Sequence, residues 1–364
     1  MDITIKDTEK VSPFFAFFLI HSVQIGVGIL GFQRAIVKSA GYDAWMSIIL
    51  AGIANQVILW LMYELLKRGN GDLIYIHRKI FGKWIGGFLS TLFILYVLLA
   101  ATVFLRSFTQ VVQVWVFPQL STWIFCAVLL LLACYYIVGG FRTVAGLCFL
   151  SVIYSLPLLI VLYFPLHYAH FYNFFPLMTH SPMQILQSAK ATTMEFLGVE
   201  LLLLFYPFLK EPDKSRRWGH YALLYTTIFY IAFAIVAFVY FTEEQLKSTI
   251  WATLSLWKIV EFPIVERFEY IGIAIWVAVV VPNLCICLWG ANYGMKRIFS
   301  FKRRRVLLIL ALIVFLSCSL LTSHPHIEKL NVVFSEIGFY FLYIYIPFLF
   351  LVQLILYKVR GQQG

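Results

Sequence analysis

With 364 residues, 62% of them hydrophobic and only 12% charged, the chain lies outside the range of soluble domains, about a quarter of whose residues are charged. Apolar runs of about 20 residues, each able to cross roughly 30 Å of hydrocarbon as a helix, recur from end to end and leave no soluble domain over. The net charge of +11 would suit nucleic acid, but the cations fall between the apolar runs, where they read as topology signals, and nucleic-acid binding is not expected.

In chain order the runs predict an all-α integral membrane protein of ten transmembrane helices, at 12 to 37, 43 to 66, 83 to 113, 119 to 138, 143 to 164, 184 to 209, 219 to 241, 268 to 292, 305 to 322 and 332 to 358. A polar start and no small-residue cleavage site predict that the first run is a retained span and not a signal peptide. An even count puts both termini on one side, and residues 1 to 364 form a single polytopic domain. With that side cytoplasmic, 20 of the 28 Lys and Arg face inward, among them Lys67, Arg68, Arg142, Lys210, Arg216, Arg217 and the run Lys302 to Arg305. That bias is the one expected of cytoplasmic loops, and contact with anionic lipid headgroups would be its secondary effect.

The first span contains QIGVGILGF, Gln24 to Phe32, whose glycines are spaced as in a dinucleotide-binding turn. No strand precedes Gly26 and no strand–helix alternation follows, so the nucleotide reading is dropped. Non-helical backbone at membrane depth is tolerated only where protein buries it or it lines a cavity, so Gly26 and Gly28 mark either close helix packing or a site. The sixth span repeats the irregularity at Gly198, between Glu195 and Glu200. Both irregular spans open a block of five, 12 to 164 and 184 to 358. Broken first helices in two inverted halves point to a binding site at the midplane, where freed N–H groups suit a carboxylate and freed carbonyls an ammonium or other cation. An amino acid or similar zwitterion fits such a pair.

Glu200, near mid-span, should face the interior, where it would pair with a ligand amine, bind a proton or cap a freed backbone N–H. Glu195 and Lys190 are expected to line an outer vestibule rather than pair with each other. Tyr96, Trp276 and Asn283 lie near mid-depth and are candidates for the same cavity. Arg106 is expected to snorkel to the outer interface. His21 reads as a packed histidine, and His324 and His326 as part of a short outer loop. The six cysteines all fall in spans and form no C-x-x-C pair, so they read as small buried residues. No metal site, cofactor site or nucleophilic constellation is expected, and an enzyme is not predicted.

The G-x-G-I-L break in span one and F-L-G-x-E in span six resemble the amino acid–polyamine–organocation superfamily. That resemblance implies the leucine-transporter-like five-plus-five inverted repeat with broken helices 1 and 6. More closely, GVGILGFQRAI, GKWIG, IVGGFR, FLGVELLLLFYPFLK, TIWATLSLWKIVE and VERFEYIGIAIW resemble the B subunit of spore germinant receptors over essentially the whole chain. The resemblance implies an inner spore membrane location, partner A and C subunits, and a small nutrient ligand such as an amino acid or sugar. It also implies a ligand site formed by Ile25, Gly26, Val27, Gly28 and Ile29 with Leu197, Gly198, Val199 and Glu200. Span eight lacks the paired hydroxyls with which sodium-coupled relatives hold a cation, and span five lacks the lysine that replaces it in some others. The expected function is therefore nutrient sensing and signalling to partners, with a small-solute transporter as the alternative and a non-binding assembly subunit as a third class.

Overall fold

The computed structural model describes residues 5–260, 266–299 and 301–361. Glu261 and Val265, at the edges of two of the motifs above, lie outside them. The described residues form helices and no strand, with a single isolated backbone bridge between Val11 and Leu209.

The first predicted span is two helices, α1 (Phe15–Gln24) and α2 (Phe32–Ala40), separated by an irregular stretch with one 3-10 turn at Gly28–Leu30. A tight 3-10 turn, Gly41–Asp43, leads into α3 (Ala44–Gly69). Next come α4 (Leu73–Trp115), broken at Gly82 where the predicted third span begins, α5 (Thr122–Val138), α6 (Phe141–Val161) and the short α7 (Tyr163–Leu166). The sixth predicted span is fragmented into α8 (Pro182–Ala191), α9 (Thr193–Phe196) and α10 (Leu202–Phe205), its two halves bent by 47°. α11 (Pro212–Tyr240) follows, then two short helices of the next connection, α12 (Glu243–Ser248) and α13 (Ala252–Trp257). α14 (Phe268–Phe299), α15 (Arg303–Leu320), α16 (His324–Tyr340), a π-helical turn at Phe341–Tyr345 and α17 (Ile346–Gly361) complete the chain.

Helix occupies every one of the ten predicted ranges. Among the described residues six helical stretches are long and apolar enough to cross a membrane, or seven if the bent pair counts as one. The last span begins at His324, eight residues before its predicted start, so His324 and His326 belong to α16 and not to a loop.

Two features of packing identify the surroundings. Leu308, Leu312, Leu316 and Leu320 recur every four residues along α15 and are all exposed, an apolar stripe that suits lipid and not water. Inside, α14 packs against α4 and α6, and α1 against α6 and α11, around a core with many buried polar side chains.

The connections sort to two ends. At one end Val11 donates to Phe208 and accepts from Lys210, while Arg142 bonds the carbonyls of Asp7 and Lys10 and Arg216 pairs with Glu64. At the other, Asp43 accepts the N–H groups of Met178, Thr179 and His180, and Tyr42 donates to the carbonyl of Phe241. Arg106 corrects its expectation. It is 1% exposed, and its Nε and Nη2 donate to the carbonyls of Leu321 (2.5 Å) and Thr322 (3.2 Å). The C-terminal carbonyls of α15 are a better partner for a guanidinium than the interface would be, because the helix end carries partial negative charge.

Candidate functional site

Breaking α1 at Gln24 frees backbone groups that lipid cannot satisfy. Four of the carbonyls find side chains. Tyr230 of α11 donates to the Gln24 carbonyl (2.8 Å), and Asn283 and Trp276 of α14 donate to those of Ile25 (3.3 Å) and Gly26 (3.2 Å). Thr253 of α13 donates to that of Ile29 (2.7 Å). The N–H groups do not: those of Gly26, Val27 and Gly28 meet no acceptor among the described residues. Gln24 ties the two breaks together, its Nε2 donating to the carbonyl of Phe196 (2.9 Å) at the end of α9.

Span six reverses at Gly198, whose φ of +105° is open to glycine and strained for other residues. A Cβ there would also lie 2.2 Å from Val23 of α1. The break is closed internally: Glu200 accepts the N–H of Gly198 (2.8 Å) on one oxygen and the hydroxyl of Tyr96 (2.6 Å) on the other. Of the three roles open to Glu200, capping a freed N–H is the one the geometry contains. Only about 10 Å³ of space adjoins it.

The open space adjoins this cluster across Val23, Phe104 and Phe334. A cavity of about 220 Å³ is lined by Val23, Gly26, Val27 and Gly28 of the first break, by Glu195 and Leu197 of the second, and by Phe104, Ile250, Trp251 and Phe334. Toward its mouth stand Arg34, Lys38, Gln110, His324, Glu328 and Asn331. Of the twelve residues proposed from sequence, Gly26, Val27, Gly28 and Leu197 line this cavity. Trp276 and Asn283 act from behind as donors to the broken backbone, and Tyr96, Gly198 and Glu200 form the adjoining closed cluster. Ile25, Ile29 and Val199 are buried in packing. His21 is packed as expected, its Nδ1 2.8 Å from the Thr226 hydroxyl.

Glu195 was expected in an outer vestibule without a Lys190 partner. Lys190 does pair elsewhere, with Glu336 at 3.1 Å, but Glu195 is only 7% exposed and lies against the break itself. Its Oε2 lies 2.9 Å from the Tyr230 hydroxyl, which shares its one proton between this carboxylate and the Gln24 carbonyl, and sits where a Cβ on Gly28 would be 2.1 Å away. Sequence reasoning also missed Ile250, Trp251 and Thr253. They belong to the TIWATLSLWKIVE motif, but a segment connecting two long helices gives no sign in its own sequence that it packs back onto the first break.

Lipid-facing helices surrounding a polar core with two broken helices define a multi-pass membrane protein on the leucine-transporter-like transporter fold. Solved structures agree: the TM-score is 0.66 to a Na+-coupled sialic acid symporter in a substrate-bound outward-open state, 13% identical, over 91% of this chain and 77% of that one. It is 0.65 to MhsT in complex with L-phenylalanine, 12% identical, over 95% and 88%. A family model described as spore germination protein matches residues 10–327, and the chain is 42% identical over 352 residues to spore germination protein GerQB of Bacillus cereus, 96% of this chain and 98% of the relative. The chain belongs to the spore germination protein family.

Proposed function

We infer that this chain is the nutrient-sensing subunit of a spore germination receptor, holding a small ligand such as an amino acid between the broken helices and passing the binding event to A and C subunits. The observation that carries this is the cavity of about 220 Å³ at the junction of the two breaks, with three backbone N–H groups of Gly26, Val27 and Gly28 left without acceptors beside it. Such donors suit a ligand carboxylate. The volume is below the roughly 300–1,000 Å³ of pockets for drug-sized ligands, which favours a small nutrient.

In this reading the protein spans the inner spore membrane ten times as one polytopic domain of two inverted halves, 12 to 164 and 184 to 358. Its termini lie in the cytoplasm, and its basic clusters rest on lipid headgroups. Sensing needs only that the ligand bind two conformations unequally. Ion coupling in this fold uses unwound carbonyls as cation ligands, and here those of Gln24, Ile25 and Gly26 are already engaged by side chains. That weighs against a coupled permease, the second reading, which the transporter fold itself keeps in play.

Thermal-shift titration of the full chain in lipid nanodiscs with amino acids and sugars tests binding. A midpoint shift that Gly28→Leu abolishes is expected, and equal shifts in both proteins refute the site. Labelled-solute uptake by vesicles containing this chain alone separates the two readings, with concentrative uptake favouring the permease.

A further inference from the structure

We propose that Glu195 receives the ammonium group of the ligand, so that the cavity selects small primary amines over their uncharged counterparts. This rests on reading the cavity as the ligand site and adds the residue that sets its specificity.

A cation entering a broken helix is ordinarily met by freed carbonyls at the end of the half-helix. Here five of the carbonyls around the two breaks are taken by side chains. Gln24, Ile25, Gly26 and Ile29 accept from Tyr230, Asn283, Trp276 and Thr253, and Phe196 accepts from Gln24. The N–H groups of Gly26, Val27 and Gly28 meet no acceptor among the described residues and attract negative charge. An ammonium is met best by a carboxylate, whose full charge makes a stronger hydrogen bond than the partial charge of a carbonyl.

Three carboxylates come into question. Glu200 has both oxygens engaged, by Tyr96 and by the N–H of Gly198, and almost no space beside it. Glu328 lines the mouth but is exposed, where water and salt screen it. Glu195 is buried on the cavity wall, shares the single Tyr230 proton with the Gln24 carbonyl, and forms no ion pair among the described residues. A charge pair formed in such a desolvated place is worth several times one in water.

Gly28 makes the arrangement possible, because any side chain there would occupy the space taken by the Glu195 carboxylate. Donors from the first break and the carboxylate from the second then face one small volume. An α-amino acid matches both, with its carboxylate toward the N–H groups and its ammonium on Glu195. Arg34 and Lys38, four residues apart on α2 and so on one face, stand at the mouth and draw the anionic end inward.

The test is thermal-shift titration of the full chain in nanodiscs with the L-amino acids, their α-hydroxy acid counterparts (L-alanine against L-lactate, L-phenylalanine against L-phenyllactate), glucose and inosine. At least one amino acid is expected to shift the wild-type midpoint while its hydroxy acid, at the same concentration, does not. Glu195→Gln is expected to raise the apparent Kd for that amino acid at least tenfold, and Glu195→Asp to keep the preference. A preference unchanged in Glu195→Gln overturns the proposal. So does equal binding of amino and hydroxy acid by the wild type, a comparison that needs no variant, or a wild type that binds none of the amines. Binding of glucose or inosine alone, abolished by Gly28→Leu, would sink the role of Glu195 and leave the cavity standing; amino acid binding unaffected by Gly28→Leu would sink the cavity itself.

Discussion

Gly28 and Glu195 face each other across the two breaks, and the contact is close enough that neither residue can be altered without consequence for the other. Gly28→Leu should place its side chain in the cavity and push the carboxylate aside. We expect spores carrying it to lose their germination response while the protein stays at normal level in the membrane by immunoblot; a normal dose-response would refute the placement. Tyr96 and Glu200 form a different kind of pair. Because the hydrogen bond is buried and one partner is a carboxylate, a double-mutant cycle of Tyr96→Phe and Glu200→Gln should show coupling of about 1.5–3 kcal/mol in thermal or denaturant unfolding, and additive effects would count against the pairing. The glycines of both breaks were legible in the sequence, since a helix-weakening residue at mid-span is costly in lipid unless protein packs against it or a cavity opens there. The division of labour between Glu195 and Glu200 was not. It depends on how the backbone turns at Leu197 and Gly198, between the two carboxylates, and spacing along one chain does not contain that.

Among elements, the start of α4 is tied to α14 through a buried carboxylate. Asp72 caps it by accepting the N–H of Tyr75, and its other oxygen takes the hydroxyl of Tyr293 (2.8 Å) and Nη1 of Arg297 (2.8 Å), both from α14. Asp72 is fully buried, so removing Arg297 leaves an uncompensated charge inside the protein. Arg297→Leu is expected to destabilise by about 3–5 kcal/mol, read as a lowered Tm in detergent, with a smaller loss in Arg297→Lys. The ranges of the long apolar helices were read closely from sequence, because about 20 uninterrupted apolar residues have one stable form in lipid. The beginning of α16 was misplaced because its first residues, His324 to Glu328, are polar, and they remain helical around a cavity mouth to which they contribute side chains. Arg106 was misread for a related reason: a guanidinium near a span end has two outlets, water or a helix C-terminus, and only packing shows which is nearer.

For the whole molecule, the contacts at the two ends give the topology a test. The N-terminal segment, Arg142 and Lys210 meet at one end, and Asp43, His180 and Phe241 at the other. Five of the six native cysteines are buried, so introduced thiols should dominate labelling by a membrane-impermeant maleimide. Lys214→Cys is expected to label only from the cytoplasmic face and Lys190→Cys only from the opposite one; labelling of both from one side would overturn the even count. By itself the sequence determined the class of environment, the helical fold, the family and the two places where helices break, because each follows from composition or from residues whose local cost in lipid is high. Only the tertiary structure decided which freed backbone groups stay free, which carboxylate faces open space, and that the segment between α12 and α13 packs against the site. Those are outcomes of contacts between segments up to about 250 residues apart, such as Trp276 on the carbonyl of Gly26, and no local propensity encodes them.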